Sequence, residues 1–119
     1  MAAKTVRLYL EHIREAIGLI EQYVDGRQRQ DLEREPMFRQ AIERNIEIIS
    51  EASRRLPVAM KARHPDIPWP AIAAIGNVLR HEYYTVELDV IWRIATQDLR
   101  PLAAAVDSLL ADVLRDWKK

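Results

Sequence analysis

The sequence contains no cysteine, so disulfides and thiolate metal sites are both excluded. Glycine occurs only three times and phenylalanine once, while Ala, Leu, Ile, Glu and Arg abound. That balance disfavours sheet and turn-rich folds and favours helix. Charge of one sign is not in excess either: 18 Lys and Arg offset 18 Asp and Glu. With no global field, attraction to nucleic acid or a membrane would need a local patch. No stretch approaches the roughly 20 apolar residues of a membrane span. The opening MAAKTVRLYLEH lacks the unbroken apolar core of a signal peptide, so a cytoplasmic location is expected. There is no glycine-rich phosphate loop, no Gly-x-Ser-x-Gly elbow and no pair of histidines at helical metal spacing. His12, His64 and His81 lie far apart, and neither a metal nor a cofactor is expected.

What is present is helical periodicity. The 119 residues predict one all-α domain, 1–119, folded as an antiparallel up-and-down bundle of four main helices. Val6, Leu10, Ile13, Ile17, Ile20 and Val24 alternate steps of four and three across a first helix from Lys4 to Asp25, and Gly26 stops it. Residues 27–35 (RQRQDLERE) read as a loop or a ragged helix start. A second helix runs from Pro36 to Leu56, with Phe38, Ala41, Ile42, Ile46, Ile48, Ile49 and Ala52 on a wide buried face. Arg44 and Glu51, seven apart on it, share nearly one line; they form either a solvent-facing pair bridged by neighbours or part of a polar cleft. Residues 52–64 carry Arg54, Arg55, Lys61 and Arg63 with no acid among them, which reads equally as uneven surface charge or as an anion-binding face. Pro65, Pro68 and Pro70 then form a stiff connector, with Trp69 as a plug on the bundle end.

The next stretch, IAAIGNVLRHEYY (72–84), organises the rest. On a helix at about 100° per residue, Ile72, Ile75, Leu79 and Tyr83 fall on one arc, and Asn77, Arg80, His81 and Tyr84 on another. The polar arc is either an ordinary solvated face or a site, since its amide, guanidinium, imidazole and phenol can grip a phosphate and move a proton. A last helix begins after Thr85, with Leu88, Trp92, Ala95, Leu99, Leu102, Val106, Leu109 and Val113 in phase. Pro101 interrupts it, which predicts a kink or break near Arg100.

The run PWPAIAAIGNVLRHEYYTVELDVIWRIATQDLRPL (68–102) resembles the HepT-like branch of the HEPN superfamily, whose members carry Arg-Asn-x-x-x-His-x-Tyr after a Pro-Trp. Residues 41–52 are similar to the family's Arg-x-Leu-x-x-Ile-Gly-Glu-Ala pattern, with Ser50 in place of glycine, and Leu10 to Gly26 fits its first helix. The resemblance implies a homodimeric helical bundle, paired with a minimal nucleotidyltransferase antitoxin. It implies a toxin that cuts RNA, transfer RNA included, without metal. His81 matches the family histidine, Asn77 the asparagine and Tyr83 the tyrosine open to AMPylation. The family arginine, however, is replaced by Gly76. Arg80, beside the histidine, or Arg44 could supply that charge, with Glu51 as a further cleft residue. Arg7 and His12 match the family's arginine–histidine spacing but stand on the first helix. Two readings stay open: a ribonuclease, or a catalytically degenerate member that binds or regulates a nucleotidyltransferase. Imidazole chemistry suits the first. Near its ordinary pKa of about 6.5 it can take a proton from a ribose 2′-hydroxyl, while a guanidinium stabilises the charge on phosphorus oxygens.

Overall fold

A computed structural model describes residues 3–82 and 87–117, all of them helical or in short connections. The helices are α1 (Ala3–Val24), α2 (Asp31–Arg34), α3 (Pro36–Arg54), α4 (Val58–Lys61), α5 (Trp69–Glu82), α6 (Leu88–Arg93) and α7 (Leu99–Trp117), with a π-helical turn over Ile94–Asp98 joining the last two. This is the expected all-α bundle. The helices α1, α3, α5 and the α6–α7 segment are its four main members.

The apolar stripe of α1 does what its spacing predicts: Val6, Leu10, Ile13, Ile17 and Ile20 are buried against α3 and α7. Each such side chain contributes about 1.5–3 kcal/mol of transfer free energy. Gly26 ends the helix at φ 71°, a left-handed conformation that other residues adopt only at a cost. Beyond it, the polar 27–35 stretch contains the single turn α2. Arg27 secures that turn, since its guanidinium lies 4.2 Å above the Phe38 ring and pairs with Glu35 at 2.6 Å and Asp31 at 3.5 Å.

Helix α3 sits between α1 and α5, and antiparallel to both. The α1 residues Tyr9 and His12 lie beside Glu51 and Arg55, whereas Ala16 and Leu19 lie beside Asn45. On its other side, Ser50 meets Gly76 and Arg54 meets Ala73. Phe38, Ile42, Ile46, Ile49 and Ala52 are buried as expected, but Ile48 is only half-buried. Three polar residues share the interior, each satisfied locally: Asn45 Nδ2 donates to the Ala41 carbonyl, Ser53 Oγ to the Ser50 carbonyl, and Ser50 Oγ to the Ala73 carbonyl.

The connector from Leu56 to Pro68 wraps one end, burying Leu56, Met60 and Ile67 around the single-turn α4. Trp69 closes it as the plug the sequence predicts. Its ring is buried, and Nε1 donates to the carbonyls of Lys61 and His64, both at 3.1 Å.

The last helix is interrupted, though upstream of Arg100. The irregularity is the π turn at Ile94–Asp98, and Pro101 falls in the first turn of α7. Proline lacks the N–H that would bond the residue four before it and crowds that carbonyl. Here that residue is Gln97, inside the wide turn. Thr96 Oγ1 donates to the Trp92 carbonyl, and Arg93 reaches Asp98 at 3.3 Å across the extra residue. The turn also shifts the buried phase. Ile91, Ala95 and Leu99 align in steps of four, so Ile91 is fully buried where the regular pattern had placed Leu88 and Trp92, which are half-buried. From Leu102 to Val113 the expected stripe holds. An apolar groove of about 410 Å³, lined in part by Ile72, Ile75, Val90 and Ile94, lies between α5 and the π-turn region.

Candidate functional site

Helix α5 presents the two faces its sequence predicts. Leu79 and Gly76 are buried and Ile72 and Ile75 are packed on the core, while Asn77, Arg80 and His81 are exposed. Arg80 Nη2 donates to Asn77 Oδ1 at 2.5 Å, so the amide orients the guanidinium. On a helix, Asn77 lies between Arg80 and His81, and the three side chains form one polar strip. Tyr83, expected one turn beyond as the modifiable phenol, lies outside the described residues, as does Tyr84.

The attachment of α5 to α3 explains why a glycine suits position 76. Ser50 Oγ donates to the Ala73 carbonyl at 2.9 Å and accepts the Gly76 N–H at 3.1 Å, and Arg54 donates twice to the same carbonyl, from Nε at 3.0 Å and Nη2 at 2.7 Å. The backbones approach so closely that a Cβ on residue 76 would lie 2.6 Å from Ser50 Oγ and 2.8 Å from Ser50 Cβ. A side chain on residue 76 would therefore force Ser50 to shift. Ser50 and Gly76 thus face each other across one close helix contact.

Arg80 also reaches a second feature, a cleft of about 290 Å³ where α1, α3 and α5 meet. It brings together Arg44, Glu51 and Arg80, the three residues proposed from sequence for phosphate binding or the cleft, and adds Tyr9, His12 and Arg55. Arg44 and Glu51 do not pair with each other. Arg44 is held by Glu47 at 3.4 Å with its side chain 70% exposed, and Glu51 takes Arg55 at 3.1 Å and Arg54 at 3.6 Å. Among the described residues no carboxylate pairs with Arg80. His81 is exposed and does not line the cleft; His12, set aside in sequence for standing on the first helix, does. Only packing could reveal this, because Tyr9 and His12 become neighbours of Arg55 through the antiparallel register of α1 and α3.

Each cation of the basic run at 52–64 is engaged within the chain. Arg54 bonds the Ala73 carbonyl, Arg55 pairs with Glu51, Lys61 Nζ donates to the Ser53 carbonyl and Arg63 pairs with Asp112. Two turns into α3, Glu43 Oε1 accepts from Arg39 at 3.2 Å, while Oε2 is buried without a hydrogen-bond partner. Burial pushes the Glu43 carboxyl above its ordinary pKa despite the pull of Arg39, and the nearby charge of Glu47 adds to the rise. Among the described residues no three His, Asp or Glu side chains converge as a metal site would require, and no helix is long and apolar enough to cross a membrane.

Residues 13–109 match the family model described as Ribonuclease HepT-like. The chain belongs to this family. HepT-like relatives span it nearly end to end. A protein of Thermococcus cleftensis named as a probable ribonuclease HepT is 36% identical over 101 residues, covering 85% of this chain and 92% of its own. One of Caldanaerobacter subterraneus named as a putative RNase is 34% identical over 107 residues, covering 90% and 96%. A third, from Methanocaldococcus jannaschii, is named as a gamma-glutamylcyclotransferase and putative RNase. It is 31% identical over 110 residues, 92% of this chain, which spans only 50% of that longer protein. No solved structure gives a significant match.

Proposed function

We propose that this HepT-like protein is a ribonuclease toxin that cuts RNA without metal through the ribose 2′-hydroxyl, as one half of a toxin–antitoxin pair. The observation that carries the reading is the strip Arg80–Asn77–His81, an imidazole beside a guanidinium that an amide orients and that no carboxylate among the described residues neutralises. In this mechanism His81 takes the 2′-hydroxyl proton, the 2′-oxygen attacks phosphorus, and the bond to the 5′-oxygen breaks to leave a cyclic phosphate, the departing 5′-oxygen taking a proton from water. Arg80 stabilises the charge gathering on the non-bridging oxygens, the task that the family pattern gives to an arginine at position 76. Arg44, across the cleft from Arg80, tracks the phosphate backbone. DNA lacks the hydroxyl and would survive. Family membership supports a minimal nucleotidyltransferase as antitoxin, with Tyr83 as the residue it would modify with AMP. The apolar groove beside α5, with its half-buried isoleucines, supports association with a second copy of the chain.

A second reading rests on Gly76. With no room for the family arginine, the chain would be a catalytically lapsed member that serves as a binding or regulatory subunit of a nucleotidyltransferase. Incubation of the purified protein with total transfer RNA in EDTA separates the two. The ribonuclease reading expects cleavage that falls at least a hundredfold in His81→Ala and in Arg80→Ala, the scale of losing a proton-transfer or charge-stabilising group. An inert parent protein, unmodified and free of partner, would leave the regulatory reading.

A further inference from the structure

His12 shares a cavity with Arg80, and nothing in the proposed reaction employs it. It is exposed, and among the described residues no hydrogen bond holds it. Around it the cleft sets three guanidinium groups, of Arg44, Arg55 and Arg80, against the two carboxylates of Glu47 and Glu51. Those carboxylates are engaged by arginines one turn away on α3, Glu47 by Arg44 and Glu51 by Arg54 and Arg55. Exposed pairs of that kind are worth about 0–1 kcal/mol, so a phosphate can take over the guanidinium N–H groups at little cost. Tyr9, its ring packed on the core, forms another part of the wall and offers a phenol at the same opening. Arg80 belongs both to this cleft and to the polar strip of α5. The cleft thus sets an imidazole and two further arginines around an opening that Arg80 also lines.

We propose that the cleft between α1, α3 and α5 is a second phosphodiester-binding subsite for an RNA strand, with His12 and Arg55 as its ligands and Arg80 joining it to the reacting phosphate. The proposal rests on the ribonuclease reading for its substrate class but predicts binding that needs no cleavage. The probe is a fluorescent 2′-O-methyl hexanucleotide, which has no free 2′-hydroxyl and cannot be cut by that route, followed by anisotropy over a series of salt concentrations. His12→Ala and Arg55→Ala should each weaken binding about five- to tenfold, and Arg55→Ala should flatten the plot of log K against log salt by about 0.7. Arg29→Ala removes an equal charge from a pair with Asp89 outside the cleft, and should leave affinity within about twofold. If all three variants weaken binding alike, or none does, the subsite does not exist. Cleavage provides a separate reading. A parent protein that binds the analogue through His12 and Arg55 but cuts no RNA would contradict the nuclease and leave the subsite standing. One that cuts transfer RNA with KM unchanged in both variants would do the reverse.

Discussion

At the scale of single residues, the contact between Ser50 and Gly76 has the clearest consequence. Gly76→Ala adds a Cβ that must push Ser50 Cβ from 2.8 Å, so the helix-propensity gain of alanine is outweighed and a net loss of about 1–3 kcal/mol is expected in urea unfolding. Ser50→Gly should recover part of that loss in the double variant while forfeiting the hydrogen bonds to Ala73 and Gly76, so the two substitutions will not add. Glu43 makes a prediction of opposite sign. Its carboxyl binds a proton more tightly in the folded protein than in the unfolded chain, so folding is favoured below the ordinary glutamate range and loses that advantage as pH rises through the elevated value. Glu43→Gln should therefore have a higher Tm than the parent at pH 7, and the difference should vanish as pH falls below the usual carboxylate range. The sequence did not show either interaction. Ser50 and Gly76 stood out in sequence only as departures from the family pattern, and their contact exists only once α3 and α5 pack; Glu43 looks like any helix-surface acid until one of its oxygens is buried.

Elements were more legible, because regular helices express their burial as a period. The stripes of α1 and of α7 from Leu102 onward were readable to within a residue or two, as were the stop at Gly26 and the cap formed by Trp69. What escaped was the π turn. One extra residue in a turn moves the buried phase without changing composition, so Ile91 replaced Leu88 and Trp92 as the buried position. Trp69 offers a test at this scale. Trp69→Phe retains most of the buried ring and removes the N–H shared by the Lys61 and His64 carbonyls, which should cost about 1–2 kcal/mol. Loss of no stability would mean that the connector is held by ring packing alone.

For the whole molecule, the bundle converts residues scattered over three helices into one surface. Asn77, Arg80 and His81 could be placed together from sequence because they share α5. Arg44 and Glu51 could be suspected because they share α3. That these two groups meet, and that Tyr9, His12 and Arg55 join them, follows from antiparallel packing and has no local signature. The polar strip and the cleft thus meet only at Arg80, and the proposed chemistry depends on that junction. Its most direct test is the chemistry of the ends of transfer RNA fragments produced by the purified protein in EDTA. If His81 and Arg80 act through the 2′-hydroxyl, every new 3′ end should carry a 2′,3′-cyclic phosphate, and both fragments and ends should disappear in His81→Ala. Fragments with free 3′-hydroxyl ends, or cleavage that persists undiminished without the imidazole, would contradict it.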